Sequence, residues 1–253
     1  MKVTFLGTGT SQGIPIIGSK HPVCLSKNKK DKRLRVSILI EWNDYVYVVD
    51  CGPDFRYQML RANCDKIDGV LLTHEHADHT SGIDDLRPFF YRQGAIPIYA
   101  EQRVFKQLEK RFFYLFDENN EYLGTSSVIK NEINNKPFML HDLEVIPIRI
   151  MHSTLEIFGF RFNNFAYLTD IKSIANNEIE KLKNLDVLVV TALRLESHPS
   201  HFNLEEALAF IEEVKPKRAY LTHISHLLGF HDNVQQSLPE NVYLAYDNLE
   251  LNL

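Results

Sequence analysis

The segment His74-Glu75-His76-Ala77-Asp78-His79 sets four metal-capable side chains within six residues. It follows Val70-Leu71-Leu72-Thr73, a short apolar run that reads as a buried strand. Imidazole nitrogens and a carboxylate oxygen suit a borderline divalent cation such as zinc, or a harder one such as manganese. A tight turn after a strand aims alternate side chains to one side of a sheet edge. His74 and His76 are then placed for one ion, and Asp78 and His79 for a neighbour.

The same grammar recurs downstream. Ile148-Arg149-Ile150-Met151 runs into His152, Ala166-Tyr167-Leu168-Thr169 into Asp170, and Ala219-Tyr220-Leu221-Thr222 into His223. Taken singly, a strand-end Asp or His is commonly a turn residue. Taken with the histidine cluster, these three supply a third ligand for each ion and one bridging carboxylate. The assignment is His74, His76 and His152 for the first metal, Asp78, His79 and His223 for the second, and Asp170 for both. Seven ligands for two ions leave positions for a shared hydroxide and a substrate oxygen, which separates a catalytic site from a closed structural one. Two ions about 3.5–4 Å apart lower the pKa of a water and clamp a phosphoryl group during in-line attack.

Composition narrows the class. A chain of 253 residues allows one large domain or two small ones, and the absence of any linker or compositional break favours a single domain over residues 1–253. Hydrophobic residues at 44% and charged residues at 24% exclude a disordered chain. A net charge of −5 disfavours nucleic acid as a bulk partner but leaves a small phosphorylated substrate open. No apolar run is long enough to span a membrane, and Met1–Gly7 reads as a first strand. Three cysteines (Cys24, Cys51, Cys64) cannot build a disulfide framework, which points to a reducing cytoplasm. A homodimer is compatible with this composition.

Short β-rich runs recur at Val3–Leu6, Val36–Ile40, Tyr45–Val49, Val70–Leu72, Leu143–Ile148, Phe158–Phe162, Ala166–Leu168, Val187–Val190, Ala219–Leu221 and Val242–Ala245. Helical periods fall at Phe55–Arg61, Gln102–Phe113 and Asn203–Val214, the last opening on a potential Asn cap. Strands with interspersed helices mean an α/β protein. The polar segment Asp117–Lys136 reads as a surface excursion. The basic residues Arg103, Lys106, Lys110 and Arg111 read as a solvated helix face. Arg87, Arg149 and Arg194 offer paired donors to a phosphate, although surface or structural roles are the commoner fate of such residues.

The His-x-His-x-Asp-His signature, followed in order by His152, Asp170 and His223, resembles the metallo-β-lactamase superfamily across nearly the whole chain. The resemblance implies an αββα sandwich, two facing mixed β-sheets flanked by helices, with two divalent ions (Zn or Mn) at one edge. Asp50, in Val48-Val49-Asp50-Cys51-Gly52, matches a buried aspartate that orients the metal ligands. Several segments are similar to the cyclic-phosphate phosphodiesterases, whose best-known member acts on phosphoribosyl 1,2-cyclic phosphate. They are Thr8-Gly9-Thr10-Ser11-Gln12-Gly13-Ile14-Pro15, Asp50 to Arg56, Gly82-Ile83-Asp84-Asp85-Leu86-Arg87, His198 to Leu208 and Thr222 to His226.

That resemblance implies a metal-dependent phosphodiesterase that opens a small ribose or nucleotide cyclic phosphate with a metal-bridging hydroxide. Asp78 and His201 are its candidate catalytic residues. His201 would protonate the departing alkoxide, with His198 as its competitor. The resemblance also implies an additional structural zinc. Here His21, Cys24 and His226 stand at matching places, with Ser19 where a thiolate would be. A hydrogen-bonded loop clasp without metal is the alternative. Three rival functions remain: a tRNA 3′-processing-type endoribonuclease of the same superfamily, a thioester hydrolase or β-lactamase, which the Thr8–Pro15 and Asp50–Arg56 segments fit less well, and a non-catalytic metal-bound scaffold that senses a ligand.

Overall fold

The computed structural model describes residues 1–116 and 127–253, which form two compact units, each built on one mixed β-sheet. The first unit holds β1 (Lys2–Gly7), β2 (Ser37–Trp42), β3 (Tyr45–Val49), β4 (Gly69–Leu71), β5 (Ile96–Ala100), β6 (Val128–Glu132) and the C-terminal β15 (Glu250–Asn252). Their order is β15-β1-β2-β3-β4-β5-β6. The pairs from β15 to β3 are antiparallel, and those from β3 to β6 are parallel.

The second unit holds β7 (Phe138–Leu140), β8 (Leu143–His152), β9 (Leu155–Phe162), β10 (Phe165–Leu168), β11 (Ser173–Ile174), β12 (Val187–Thr191), β13 (Arg218–Thr222) and β14 (Val242–Leu244). They run β11-β8-β9-β10-β12-β13-β14, with β7 also pairing β8. Here too an antiparallel portion, β8-β9-β10, gives way to parallel pairs from β10 to β14.

Each sheet buries its apolar runs under helices. In the first unit, Phe55 and Met59 of the helix Phe55–Ala62 share a core with Val104, Phe105 and Leu108 of the helix Gln102–Arg111. Val48, Val70 and Ile98 from the sheet complete it. In the second unit, Ala207 and Phe210 of the helix Leu204–Val214 join Ile148, Ile150, Leu188, Val190 and Leu221. That helix opens on the expected cap. Asn203 accepts from the Glu206 backbone N–H at 2.9 Å, and the Glu206 carboxylate accepts from the Asn203 N–H at 2.9 Å. On the other sheet face Phe158, Phe160, Phe162, Phe165 and Tyr167 are also buried, which is why these strands read as continuous apolar runs rather than alternating ones.

Among the described residues β5, β6, β7, β11 and β15 lie outside the runs expected from sequence, and two of them show why. β5 carries Pro97, which interrupts the apolar pattern, yet it pairs with β4 and β6. The expected excursion Asp117–Lys136 lies partly outside the described residues (117–126), and its later part is not a loop: Val128–Glu132 is β6. As an edge strand β6 needs no apolar face, and Ile129 stands 48% exposed there.

Candidate metal centre

In the first unit the donors lie beyond the carboxyl ends of the parallel strands β3 and β4, the end at which open α/β sheets present ligand sites. Asp50 follows β3 with φ 65, and its side chain is fully buried. Its Oδ1 accepts from the Thr73 backbone N–H at 2.9 Å and from the Thr73 hydroxyl at 3.0 Å. Its Oδ2 accepts from His79 Nδ1 at 2.6 Å. Burial pushes the Asp50 carboxyl upward, while His79 and Thr73 pull it back.

These contacts fix protons. A carboxylate only accepts, so His79 carries its proton on Nδ1 and offers Nε2 as a lone pair. The Thr73 hydroxyl spends its hydrogen on Asp50, so at 2.9 Å it accepts from His74 Nδ1. His74 therefore also presents Nε2. Its ring lies 4.5 Å from that of His76 and 4.2 Å from that of His79. Asp78 Oδ2 approaches His79 Nε2 at 3.3 Å. A carboxylate oxygen and an imidazole lone pair this close repel one another unless they share a cation.

The loop is braced from both sides. Cys51 N–H donates to His79 O at 2.7 Å, and Gly82 N–H donates to Cys51 O at 2.9 Å. Gly52 sits so close that a Cβ there would lie 2.0 Å from Asp78 O. Glu75 is paired with Arg103, and Arg111 donates to Glu75 O at 2.8 Å. Two of the four residues expected on a solvated helix face thus hold the donor loop.

In the second unit Asp170, after β10, and His223, after β13, adopt φ 59 and φ 56. Left-handed backbone at bulky residues costs on the order of 1–2 kcal/mol each and clusters at functional sites. The Asp170 N–H donates to Thr191 Oγ1 at 2.7 Å, and Thr169 Oγ1 donates to Asp170 Oδ2 at 2.7 Å. Oδ1 is thereby turned toward His201 Nε2 at 2.9 Å and His223 Nε2 at 3.2 Å. Ligand atoms of His152, Asp170 and His201 lie within 4.8 Å of one another. His152, the last residue of β8, donates from Nδ1 to the Ser200 carbonyl at 2.9 Å, leaving Nε2 as its lone pair. The His201 ring stacks on His223 at 4.8 Å and 15°. Burial lowers its pKa to about 4, against the pull of the Asp170 hydrogen bond.

The donor chemistry fits divalent cations: buried carboxylates, and His74, His79 and His152 with Nδ1 protonated and Nε2 kept for a ligand bond. His76 belongs to the same loop and is exposed. Other expected residues go elsewhere. Arg87 pairs with Asp84, Arg149 with Glu156 and the face of Phe158, and Arg194 with the carbonyls of Glu196 and Ser197. His21 and His226 meet edge to face at 4.7 Å, with burial and His21 both lowering the pKa of His226. Cys24 is buried nearby in sequence, in the helix that His21 caps through Nδ1. Among the described residues, His21, Cys24 and His226 do not gather as a three-donor set. Thr73, Thr169, Thr191, Ser200, Arg103 and Arg111 are the supporting residues that sequence reasoning missed, since hydroxyls and surface arginines carry no distinctive spacing.

The chain matches the Beta-lactamase superfamily domain family over residues 45–224, a stretch that takes in both donor groups. Octanoyltransferase of Porphyromonas gingivalis is 41% identical over 253 residues, covering 99% of this chain and 51% of that protein. Ribonuclease Z of Bacillus licheniformis is 28% identical over 166 residues, covering 64% of this chain and 48% of that protein. The chain spans about half the length of the curated relatives it matches. Among solved structures, a diphosphatase from the PhnP family shares 36% identity at a TM-score of 0.93, covering 100% of this chain and 97% of that one. The short form of human tRNase Z is alike in fold, at a TM-score of 0.65 and 20% identity, covering 100% and 99% of the two chains.

Proposed function

Because this chain belongs to the metallo-β-lactamase superfamily, we propose that it is a metal-dependent hydrolase of phosphoric diesters whose substrate is a small cyclic phosphate of ribose or a nucleotide. The observation that carries the reading is the hydrogen bonding of His74, His79 and His152 through Nδ1, to Thr73, Asp50 and the Ser200 carbonyl, which assigns the ring lone pair to Nε2. In this reading His74, His76 and His152 hold one ion, Asp78, His79 and His223 a second, and Asp170 serves both. When bound, the ions supply a water of near-neutral pKa and a positive field for the phosphoryl oxygens.

The chain's own residues do the rest. Asp50 and Thr73 hold the first donor loop in register. Thr169 and Thr191 fix the Asp170 carboxylate. His201 presents Nε2–H beside Asp170 and protonates the oxygen that leaves as the P–O ester bond breaks. To act as the acid His201 must be an imidazolium, which the Asp170 carboxylate at 2.9 Å favours and burial opposes.

Hydrolysis of bis-nitrophenyl phosphate by the zinc- or manganese-loaded chain, with His76→Ala as control, separates an enzyme from a ligand-sensing scaffold. Absence of turnover with both metals, or full activity in the variant, overturns the reading. His201→Ala should slow alkyl esters by about 10²–10⁴ and nitrophenyl esters much less. Equal loss on both rejects the acid role.

The diphosphatase likeness favours a second substrate class, a diphosphate ester. Ribonuclease Z relatives raise precursor tRNA, which the charge of −5 disfavours. A panel of ribose cyclic phosphate, cyclic nucleotides, a dinucleoside diphosphate and precursor tRNA ranks them by kcat/KM. Octanoyl transfer is not carried over, since that name describes a protein about twice the matched length.

A further inference from the structure

In the first unit, residues of the helix Phe55–Ala62 and of the helix Arg87–Gln93 line a cavity of about 340 Å³, and none of the metal-centre donors takes part. Its floor is apolar. Met59 and Phe89 are almost wholly buried, and the Phe55 ring meets that of Phe89 at 6.3 Å and 56°. Three charged side chains, Asp85, Arg56 and Arg92, also line it. Asp85 is half-buried, and its carboxylate accepts no hydrogen bond from the described residues. Burial, helped by Asp84, pushes its pKa up against the pull of Arg56 and Arg87. Arg56 is exposed and acts on that carboxylate through charge. The Arg92 guanidinium lies 4.9 Å from the centre of the Phe89 ring. Its Nε and Nη2 donate to the Asp65 carbonyl at 3.2 and 2.9 Å, which leaves Nη1 for another acceptor.

We propose that this cavity is a second binding site, one that takes the zwitterion of an amino acid with an aromatic side chain. Its two signs of charge select the ligand. Arg56 and Arg92 repel a plain amine, Asp85 repels a plain acid, and an apolar floor gives nothing to a small polar ion. A zwitterion satisfies both signs at once. Its ammonium group donates to Asp85, and its carboxylate accepts from Arg56 and from Arg92 Nη1, all charge-assisted hydrogen bonds. Its side chain lies on Met59 and Phe89. A phenyl edge and a thioether sulfur both favour an aromatic ring over an aliphatic chain there. The volume lies at the lower end of the range of about 300–1,000 Å³ for small-molecule sites, which suits a single amino acid. The inference is independent of the hydrolytic reading, because it concerns other residues and is tested by binding alone.

Isothermal titration of the metal-loaded chain with L-phenylalanine and L-tryptophan tests it. Saturable binding of one molecule per chain is expected. Phenethylamine, which lacks the carboxylate, 3-phenylpropionate, which lacks the ammonium group, and glycine, which lacks the ring, should each bind about 10-fold more weakly or worse. Asp85→Asn and Arg56→Ser should each weaken L-phenylalanine about 10–100-fold, as expected for losing a hydrogen bond between charged groups. Both positions are at least partly exposed, so these variants should fold, and circular dichroism checks that they do. Met59→Trp, which fills the cavity, should abolish binding. Absence of binding by both amino acids overturns the proposal, as does equal binding of the amine or the acid. Binding that survives Asp85→Asn and Arg56→Ser belongs to the metal ions, which amino acids chelate, and overturns it too. A dimer that Met59→Trp dissociates, with no amino-acid binding, assigns the cavity to a second copy of the chain and has the same consequence.

Discussion

Replacing Asp50 with Asn tests how the first donor loop is prepared for metal. Asparagine tolerates the left-handed backbone at φ 65, so the change is electronic rather than conformational. If the amide oxygen keeps the two Thr73 contacts, the NH2 group takes the place of Oδ2 and faces His79 Nδ1 at 2.6 Å. Two donors cannot share that distance, so His79 must move its proton to Nε2, beside Asp78, and cease to be a ligand. If the amide instead turns over to suit His79, the buried Thr73 N–H loses its acceptor, at about 1–3 kcal/mol. Either route should weaken metal binding about 10–100-fold, or about 1.4–2.7 kcal/mol. Competition against a chromophoric chelator, with zinc and with manganese, measures it, and circular dichroism confirms that the metal-free variant is folded. A folded Asp50→Asn protein with the wild-type metal Kd would refute the argument that Asp50 sets the His79 tautomer.

Gly52→Ala should act on the same loop sterically. Its new Cβ, 2.0 Å from Asp78 O, must push the Asp78–His79 turn away. The expected result is a stability loss of about 1–3 kcal/mol together with weaker metal binding in the same titration, and an unchanged affinity contradicts it. His231 should govern acid sensitivity. It is buried with Nδ1 3.2 Å from the Arg33 guanidinium, and burial and that charge lower its pKa to about 4. The unfolded chain takes up this proton as pH falls below about 6.5, while the folded chain resists until about 4. The stabilisation is therefore complete above 6.5 and lost across that window, by up to about 2 kcal/mol at pH 5. The difference between the urea midpoints at pH 7 and pH 5 should be larger in wild type than in His231→Gln, and an equal difference in both would contradict the assignment.

The parts of the site that are legible in sequence are those whose chemistry demands unusual residue types. A run such as His74 to His79 has few structural uses, and the strand-end positions of His152, Asp170 and His223 follow from apolar runs that stop abruptly. The helix at Leu204–Val214 was equally readable because its cap pairs Asn203 with Glu206. What escaped is what common residues do. Thr73 and Ser200 act through one hydroxyl or one carbonyl, and no spacing announces that. Arg103 and Arg111 look like an exposed basic face until the helix is placed beside Glu75. β5 and β6 were hidden for backbone reasons, since a proline and a polar edge strand both break the pattern that marks a buried sheet.

The central proposal is that His74, His76, Asp78 and His79 serve one pair of ions together with His152, Asp170 and His223. Anomalous diffraction from zinc-loaded crystals tests it most directly. The expected result is two ions about 3.5–4 Å apart, with the Asp170 carboxylate reaching both and His223 Nε2 about 2.0–2.1 Å from one. Ions bound apart by separate donor groups, or Asp170 or His223 standing outside ligand distance, would contradict it.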